Sequence, residues 1–398
     1  MKLVFLGSAV LFAMLVKIDP GGGFAGVGAL VSLIRECYGN KHEWCDPAFL
    51  YIPPKVAVAM AFDRLEPTAD QVVEKQYGKE VQAVLTGQVV IITGASSGLG
   101  YDAAKTMLKR GATVIMACRS VERGERAVKE FGPMTGRSIV MELELSDLDS
   151  VESFVKEFKA LNLPLHTLIN NAGVMMRGHG VQQFSKQGHE YHFAVNHLAH
   201  FHLTALLEDK LLSSGSKTIP SRAIYLTTLG LEFWRGPDND GHLSRQIPAF
   251  KHDNYHPFFG YINSKALNVI TAREQQRRWA AKGGNAISFS VNPGLVGGYF
   301  SGLGPDTPTM LDEAGPIKGA FYSWPFAHAA KTPQQGASTL VYAAINPKIV
   351  DEVNNGAMHY DNNRINIPGN LNGHPEWYTN EAINQEAWER TEAMLRGR

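Results

Sequence analysis

The sequence predicts an α/β fold, a doubly wound parallel sheet with helices on both faces. From Thr86 onward, short β-rich runs alternate with helical patterns, and strands separated by helices favour parallel pairing. The first of these runs leads directly into a glycine-spaced turn that ends at Gly100, an arrangement typical of phosphate binding. We therefore expect the loops after the strands to line one ligand crevice. The predicted strands span residues 89–93, 113–117, 138–143, 166–170, 222–228 and 285–291.

Composition limits the class of protein. The chain has 398 residues, 44% of them hydrophobic, which is enough for a large core. Lys+Arg and Asp+Glu balance at 38 each, so no electrostatic argument favours nucleic-acid binding. Three cysteines form neither a disulfide scaffold nor a thiolate metal site. Cys37 and Cys45 would be free thiols, or a pair in an oxidising compartment.

The N-terminal part predicts membrane attachment. The apolar run 3–16 is shorter than the about 20 residues of a full span, so we expect an anchoring segment, with a cleaved signal peptide as the alternative. Lys17 and Asp19 argue against a deeply inserted hairpin. We divide the chain into an anchoring segment at 1–36, a connecting region at 37–85 that includes a helix near 70–80, and a domain at 86–398.

The glycine turn after the first strand is the first candidate site. Gly94, Gly98 and Gly100 remove side chains where the backbone must bend or approach a ligand. A helix predicted over 101–110 would direct its N–H groups at the turn, which suits a dinucleotide pyrophosphate. An ordinary tight turn is the plain alternative. A nucleophile elbow at Ser96 is a second one, but a hydrolase needs no Gly100.

Further candidates follow the later strands. Arg119 after the second strand suits the 2′-phosphate of NADP(H), or is an ordinary surface arginine. Glu144 after the third could accept from an adenine amino group, or be a solvated charge. After the fourth strand, Asn171, Ala172 and Gly173 are small or amide residues where a bulky side chain would collide with a cofactor.

Tyr261 and Lys265 form the candidate acid–base pair. Their i,i+4 spacing places a phenol and an ammonium on one face of a helix. A neighbouring cation stabilises phenolate, which would bring the pKa of the phenol toward the working pH. The same spacing recurs at Tyr51 and Lys55, but two intervening prolines forbid a regular helix there.

The histidine-rich stretch at 189–202 does not predict a metal site. It contains no His-Glu-x-x-His motif and no supporting cysteine pair, and the neighbours His197 and His200 lack an evident third ligand.

Together these motifs resemble the short-chain dehydrogenase/reductase family. The resemblance covers about residues 84–396 and is carried by the glycine turn, the Asn170–Gly173 segment, Asn196, Thr228, and Tyr261 with Lys265. Three segments are most similar to the retinol dehydrogenase, WW-domain oxidoreductase and protochlorophyllide reductase subgroups: 116–119, 195–201 and 331–337. The resemblance implies a Rossmann-type fold, NADP(H) as cofactor and hydrophobic alcohols or carbonyls as substrates.

The resemblance also implies residue roles. Tyr261 would exchange a proton with the substrate oxygen, Lys265 would lower the pKa of Tyr261 and grip the nicotinamide ribose, and Thr228 would hydrogen-bond the same oxygen. Asn196 would support a water-linked proton path. The implied cofactor-binding residues are Gly94, Ser96, Ser97, Gly98, Leu99, Gly100, Arg119, Glu144, Leu145, Asn171, Ala172, Gly173, Tyr261, Lys265, Pro293, Gly294 and Val296.

The chain departs from the family pattern at four positions. Thr228 stands where serine is usual, Glu144 replaces an aspartate, and Ala199 replaces a glycine. Gly298 stands where a threonine hydroxyl would help to fix the nicotinamide amide. Leu295 also lacks the cysteine of the protochlorophyllide reductases.

We therefore expect an NADP(H)-dependent oxidoreductase of retinoid-, steroid- or lipid-like substrates. The alternatives are a non-catalytic dinucleotide-binding scaffold or sensor, and a protochlorophyllide reductase-like C=C reductase. Aromatic residues in 299–328, with Phe233 and Trp234, would line the substrate site. We expect association with a membrane through the N-terminus, at the endoplasmic reticulum, with a secretory lumen or a plastid as alternatives. A homodimer is left open.

Overall fold

The computed structural model describes residues 67–78, 83–175, 182–228, 230–231, 257–294, 296, 331–353, 358–360, 364–366 and 380–397. Residues 67–294 with 333–398 form one compact unit. A second unit comprises 1–66 and 295–332, of which the structure describes Val296, Lys331 and Thr332; Val296 and Lys331 form an isolated parallel bridge. The predicted anchoring segment and the two prolines between Tyr51 and Lys55 lie outside the described residues.

The larger unit contains one sheet of eight strands. The strands are β1 Val89–Thr93, β2 Thr113–Cys118, β3 Arg137–Glu142, β4 Thr167–Asn170, β5 Ser221–Leu226, β6 Ala286–Asn292, β7 Met358–Tyr360 and β8 Arg364–Asn366. Their order is β3-β2-β1-β4-β5-β6-β7-β8. All neighbours pair in parallel except β7 and β8, which are antiparallel.

Helices connect and cover the strands. They are α1 Ala69–Tyr77, α2 Gly98–Lys109, α3 Val121–Phe131, α4 Leu148–Ala160, α5 Tyr191–Phe193, α6 Ala199–Leu206, α7 Glu208–Ser214, α8 Pro257–Ala281, α9 Pro333–Ile345, α10 Ile349–Val353 and α11 Glu381–Arg396. A π-helical turn, Ala194–Leu198, joins α5 to α6.

The predicted fold class is confirmed, and each of the six predicted strands ends within two residues of an observed one. Two details differ. The helix after the glycine turn begins at Gly98 instead of residue 101, and the two short strands β7 and β8 were not predicted. The fifth strand ends at Leu226, so Thr228 lies in the loop that follows it.

The sheet is buried on both faces. Every residue of β1 is buried, which is why its sequence is a continuous apolar run and not an alternating one. Val89 and Ile91 belong to a core cluster with side chains of α4 and α8, such as Phe154 and Ile270. Helices α1, α2 and α9 pack against one another as a further layer.

The strand order places the ligand crevice. Strand β1 lies between β2 and β4, so the chain places β2 and β3 toward one edge of the sheet and then crosses back past β1 to place β4 toward the other. In open α/β sheets, ligands bind outside the carboxyl ends of the strands at such a switch point. The crevice therefore lies where Thr93 ends β1 and Asn170 ends β4.

None of the helices in the described part of the chain combines the length and the apolar composition that a membrane crossing requires.

Arg222 is a buried cation that joins β5 to the end of α9. Its Nη1 donates to the Ala343 carbonyl at 2.6 Å and its Nη2 to the Asn346 carbonyl at 2.9 Å. Burial lowers the pKa of Arg222 to about 10, so the guanidinium remains charged at neutral pH. It thus satisfies carbonyls that the helix end leaves without intrahelical partners.

Replacing Arg222 should destabilise this unit. We expect Arg222→Met to lower the free energy of unfolding by about 3 kcal/mol, because two charge-assisted hydrogen bonds are lost and two buried carbonyls remain. Urea unfolding measures the change. The control Arg126→Met removes an exposed i,i+4 pair with Glu122 and should cost about 0.5 kcal/mol or less. Equal losses in the two variants would contradict this role of Arg222.

Candidate active site

Three glycines shape the turn after β1. Gly94 has φ +69° and Gly98 has φ +58°, values in the left-handed region that favours glycine. A Cβ on Gly100 would lie 2.6 Å from both the Gly94 carbonyl oxygen and Asn171 Nδ2. The turn and the start of α2 can therefore pack this closely only without those side chains.

The N-terminus of α2 is suited to an anionic ligand. Its N-cap residue, Ser97, makes no side-chain capping hydrogen bond. By contrast, Ser120 and Asp147 cap the helices after β2 and β3 with their own side chains, at 3.2 Å and 3.0 Å. Backbone N–H groups and the helix dipole at such a terminus attract phosphate. The cradle thus fits a dinucleotide pyrophosphate.

Thr93 holds the ends of β1 and β4 together. Its Oγ1 accepts hydrogen bonds from the backbone N–H groups of Asn171 at 3.0 Å and Ala172 at 2.9 Å. Asn171 Nδ2 donates to the Thr93 carbonyl at 2.8 Å, so this amide positions the crevice wall. Ser96 of the turn hydrogen-bonds the buried thiol of Cys118.

His200 is a hydrogen-bond partner of Thr93. Burial lowers the pKa of His200 to about 3, so its ring is neutral. Its Nδ1 lies 3.1 Å from the Asn196 carbonyl and must donate there, which makes Nε2 the acceptor for Thr93 Oγ1–H at 2.9 Å. This histidine is therefore a hydrogen-bonded part of the core.

Arg119 and Glu144 lie together at the far end of the crevice. Arg119 Nε is 4.0 Å from Glu144 Oε2, and the arginine side chain is 66% exposed. Glu144 Oε1 also accepts from the Ser146 backbone N–H at 2.8 Å. The structure thus brings the two predicted adenosine-side residues together as a loose, solvent-exposed pair.

Asn196 lies in the π-helical turn, where the helix from α5 to α6 departs from α geometry. Its side chain accepts from Val174 N at 2.7 Å and donates to Val174 O at 2.9 Å and Ser264 Oγ at 3.0 Å. Single π turns frequently mark functional sites. Here the turn clamps the loop after β4 to the helix that carries Tyr261.

Tyr261 and Thr228 meet at the carboxyl end of the sheet. The Tyr261 side chain hydrogen-bonds that of Thr228, which lowers the pKa of Tyr261, but burial raises it more and the net pKa is above that of free tyrosine. Depression of this pKa by Lys265 was expected. In this structure burial is the larger effect on the pKa of Tyr261, and Lys265 Nζ donates to the Leu226 carbonyl at 3.1 Å.

Lys265 is buried, with 3% of its surface exposed. Burial disfavours the charged amine and lowers the pKa of Lys265 to about 7. Gly173 gives this amine its space, since a Cβ there would lie 3.1 Å from Lys265 Nζ and 3.3 Å from Asn196 Oδ1. Four elements thus converge on the predicted catalytic residues: the loop after β4, the π-helical turn, the end of β5 and helix α8.

Comparison with known proteins agrees with this geometry. Residues 88–219 match the family model described as short chain dehydrogenase. Human retinol dehydrogenase 11 is 38% identical over 267 residues, which cover 66% of this chain and 74% of the relative. The WW domain-containing oxidoreductase of Gallus gallus is 32% identical over 316 residues, covering 78% and 69%. The chain belongs to the short-chain dehydrogenase family.

A solved structure shows the same fold. It is an uncharacterized protein from Mycobacterium Paratuberculosis with a TM-score of 0.55 and 24% identity, and the match covers 79% of this chain and 96% of that one. As a family member, this chain is an oxidoreductase of the class that binds a nicotinamide dinucleotide.

Some predicted site residues are placed elsewhere or lie outside the described residues. Leu145 packs in the core. Gly294 follows β6 with φ +78°, and its N–H donates to Asn292 Oδ1 at 3.0 Å. Pro293 precedes it, and Val296 belongs to the smaller unit. Leu295, Gly298, Phe233, Trp234 and the segment 297–330 are not among the described residues.

The structure adds residues that the sequence motifs did not identify. Ser264 accepts from Asn196, and Asn268 donates to the Asn196 carbonyl at 3.0 Å. His192, paired with Glu190 at 2.7 Å, lies with its ring 6.5 Å from that of Tyr261. A signal for Asn268 exists, because it follows Lys265 by three residues on the same helix and interrupts an apolar run.

Lys265 should make stability depend on pH. The pKa of Lys265 is about 7 in the folded chain against an ordinary 10.5, so the unfolded chain binds the extra proton between these values. Relative to Lys265→Met, wild type should gain about 1.4 kcal/mol per pH unit between pH 7 and about 9.5. Denaturant unfolding across this range measures the difference. Lys156→Met, which removes an exposed lysine, controls for charge, and parallel curves for wild type and Lys265→Met would refute the shift.

Proposed function

We propose that this chain is an NADP(H)-dependent oxidoreductase that transfers hydride between the nicotinamide and a hydrophobic alcohol or carbonyl, retinoid-, steroid- or lipid-like. The observation that carries the proposal is the convergence of Thr228, Tyr261 and Lys265 beside a glycine cradle at one end of the sheet. One relative is named retinol dehydrogenase 11, and retinol is an alcohol of this class.

The cofactor would supply the hydride at its nicotinamide ring, and the chain would hold and orient it. The turn from Gly94 to Gly100 and the N-terminus of α2 would take the pyrophosphate. Asn171, Ala172 and Gly173 would form the wall beside the cofactor, with Pro293 and Gly294 after β6, which is two strands away from β4 in the sheet.

The proton handling follows from Tyr261. Burial keeps its pKa high, so the protonated phenol dominates at neutral pH. This is the form that gives a proton to the alkoxide developing on a carbonyl substrate. The Thr228 hydroxyl, already bonded to the phenol, would hydrogen-bond the same oxygen and orient it. Lys265 would bind the nicotinamide ribose and favour the phenolate that forms.

Arg119 would select NADP(H) over NAD(H). Its guanidinium is exposed and only loosely paired with Glu144, so it can turn to a 2′-phosphate without breaking a tight ion pair. Guanidinium–phosphate bonds are short and charge-assisted. The N-terminal run 3–16 would anchor the chain to a membrane, with 37–85 as connector and 86–398 as catalytic domain.

A dinucleotide-binding scaffold or sensor is the second candidate, favoured by glycine at position 298 in place of the hydroxyl that would fix the nicotinamide amide. Such a protein would bind NADPH with no turnover of apolar aldehydes, ketones or alcohols.

Removing the Tyr261 hydroxyl should abolish most turnover. We expect Tyr261→Phe to lower kcat at least about 100-fold, because general acid–base catalysis contributes about that much or more. Steady-state assays with an apolar aldehyde and NADPH measure it. Tyr77→Phe removes a distant hydroxyl that bonds the Ile345 carbonyl and should keep kcat. Full activity of Tyr261→Phe would reject the mechanism.

Removing the Arg119 guanidinium should reduce cofactor selectivity. We expect Arg119→Ala to weaken NADPH binding by about 10-fold or more, with NADH binding nearly unchanged, because only the 2′-phosphate contact is lost. Fluorescence titration with both cofactors gives the two affinities. Arg126→Ala, which removes an exposed arginine of helix α3, controls for net charge. Equal affinity of wild type for NADPH and NADH would overturn the selectivity.

A further inference from the structure

We propose that Asn268 is a positioning residue of the catalytic centre, whose side-chain amide holds the carbonyl oxygens of Asn196 and Leu226 in the arrangement that Lys265 requires. The inference deepens the function proposed above and rests on it.

The Asn268 amide joins three elements. It is fully buried on α8, and its Nδ2 donates to the Asn196 carbonyl at 3.0 Å and to the Leu226 carbonyl at 3.2 Å. The first acceptor lies in the π-helical turn, and the second ends β5 just before Thr228. A single NH2 group thus fixes the spacing between the elements that carry the four predicted catalytic residues.

The two carbonyls fix which way the amide faces, and His197 contacts the oxygen that remains. Burial lowers the pKa of His197 to about 4, so the ring is neutral near pH 7. Its Nδ1 lies 3.1 Å from Asn268 Oδ1, where only a donated N–H is favourable. The NH2 group must therefore face the two carbonyls, since carbonyl oxygens only accept. A flipped amide would oppose oxygen to oxygen at both places.

Lys265 shares an acceptor with Asn268. Its Nζ donates to the same Leu226 carbonyl at 3.1 Å, so the position of this oxygen sets the position of the amine. The Asn196 carbonyl also receives His200 Nδ1 at 3.1 Å. Two side-chain donors thus fix the position of this carbonyl oxygen.

Packing alone does not explain an asparagine at this position. The neighbours Ala266, Leu267, Val269 and Ile270 are all buried apolar residues, and a buried amide costs free energy unless its polar atoms are satisfied. Both polar atoms of Asn268 are satisfied, and the groups they bond belong to the catalytic centre or to His197 beside it. We therefore assign the amide to the positioning of the groups around Lys265.

The test compares two variants with one control. Asn268→Leu keeps the branched outline of the side chain, is larger, and loses all hydrogen bonds. Asn268→Asp keeps an acceptor for His197 and loses both donors. Thr391→Val alters the other polar neighbour of His197, 3.4 Å from Nε2, and leaves the carbonyls of Asn196 and Leu226 untouched. If one Asn268 variant fails to fold, the other decides.

Activity is measured per NADPH-binding site, with an apolar aldehyde as substrate, so that unfolded protein does not count. We expect both Asn268 variants to lose kcat at least about 10-fold with KM for the aldehyde within about threefold, and Thr391→Val to keep kcat. An unchanged kcat per site in both Asn268 variants, or a loss equal to that of Thr391→Val, would overturn the inference.

A second measurement needs neither cofactor nor turnover. In the cofactor-free protein, the lysine ¹³Cε NMR signal of Lys265, assigned with Lys265→Met, should move in both Asn268 variants and stay in place in Thr391→Val. An unmoved Lys265 signal would contradict positioning. If wild type turns over no substrate while this signal moves as expected, the proposed function fails and only the positioning of Lys265 by Asn268 is supported.

Discussion

The site depends on the burial of one amine. Lys265 is almost fully enclosed, which costs free energy and brings its pKa to about 7. The surrounding chain is arranged to tolerate this cost: the Leu226 carbonyl accepts from the amine, and Gly173 leaves room that any side chain would fill. The helix that carries this amine also carries Tyr261 one turn earlier, where the Tyr261 side chain hydrogen-bonds Thr228.

Buried hydrogen bonds connect this amine to the cofactor cradle. Thr93 joins β1 to the loop after β4, His200 joins Thr93 to the Asn196 carbonyl, and Asn268 joins that carbonyl to Leu226. Each link has a neutral hydrogen-bond donor in the buried interior, where an unpaired polar group costs free energy. The proposed pyrophosphate cradle and the proposed acid–base pair are therefore connected by one hydrogen-bonded framework.

The sequence predicted the parts of the molecule that local chemistry dictates. Apolar β-branched runs gave the six strands, and the glycine turn and Tyr261 with Lys265 were found by spacing. The π-helical turn at Asn196 was not predictable, because its register depends on contacts with Val174 and Ser264 that are distant in sequence. The same holds for β7 and β8, three residues each, and for Asn268, whose partners come from two other elements. The direction of the Tyr261 pKa depends mainly on burial, a tertiary property that the spacing of the motif does not show.

The proposed function requires hydride transfer by this framework. It is tested by incubating the purified chain with NADPH deuterated at both C4 positions and an apolar aldehyde, and by following deuterium in the product by mass spectrometry. We expect one deuterium on the carbinol carbon for each NADPH consumed. Tight NADPH binding with no deuterium in any product, across aldehydes, ketones and conjugated alkenes, would contradict it.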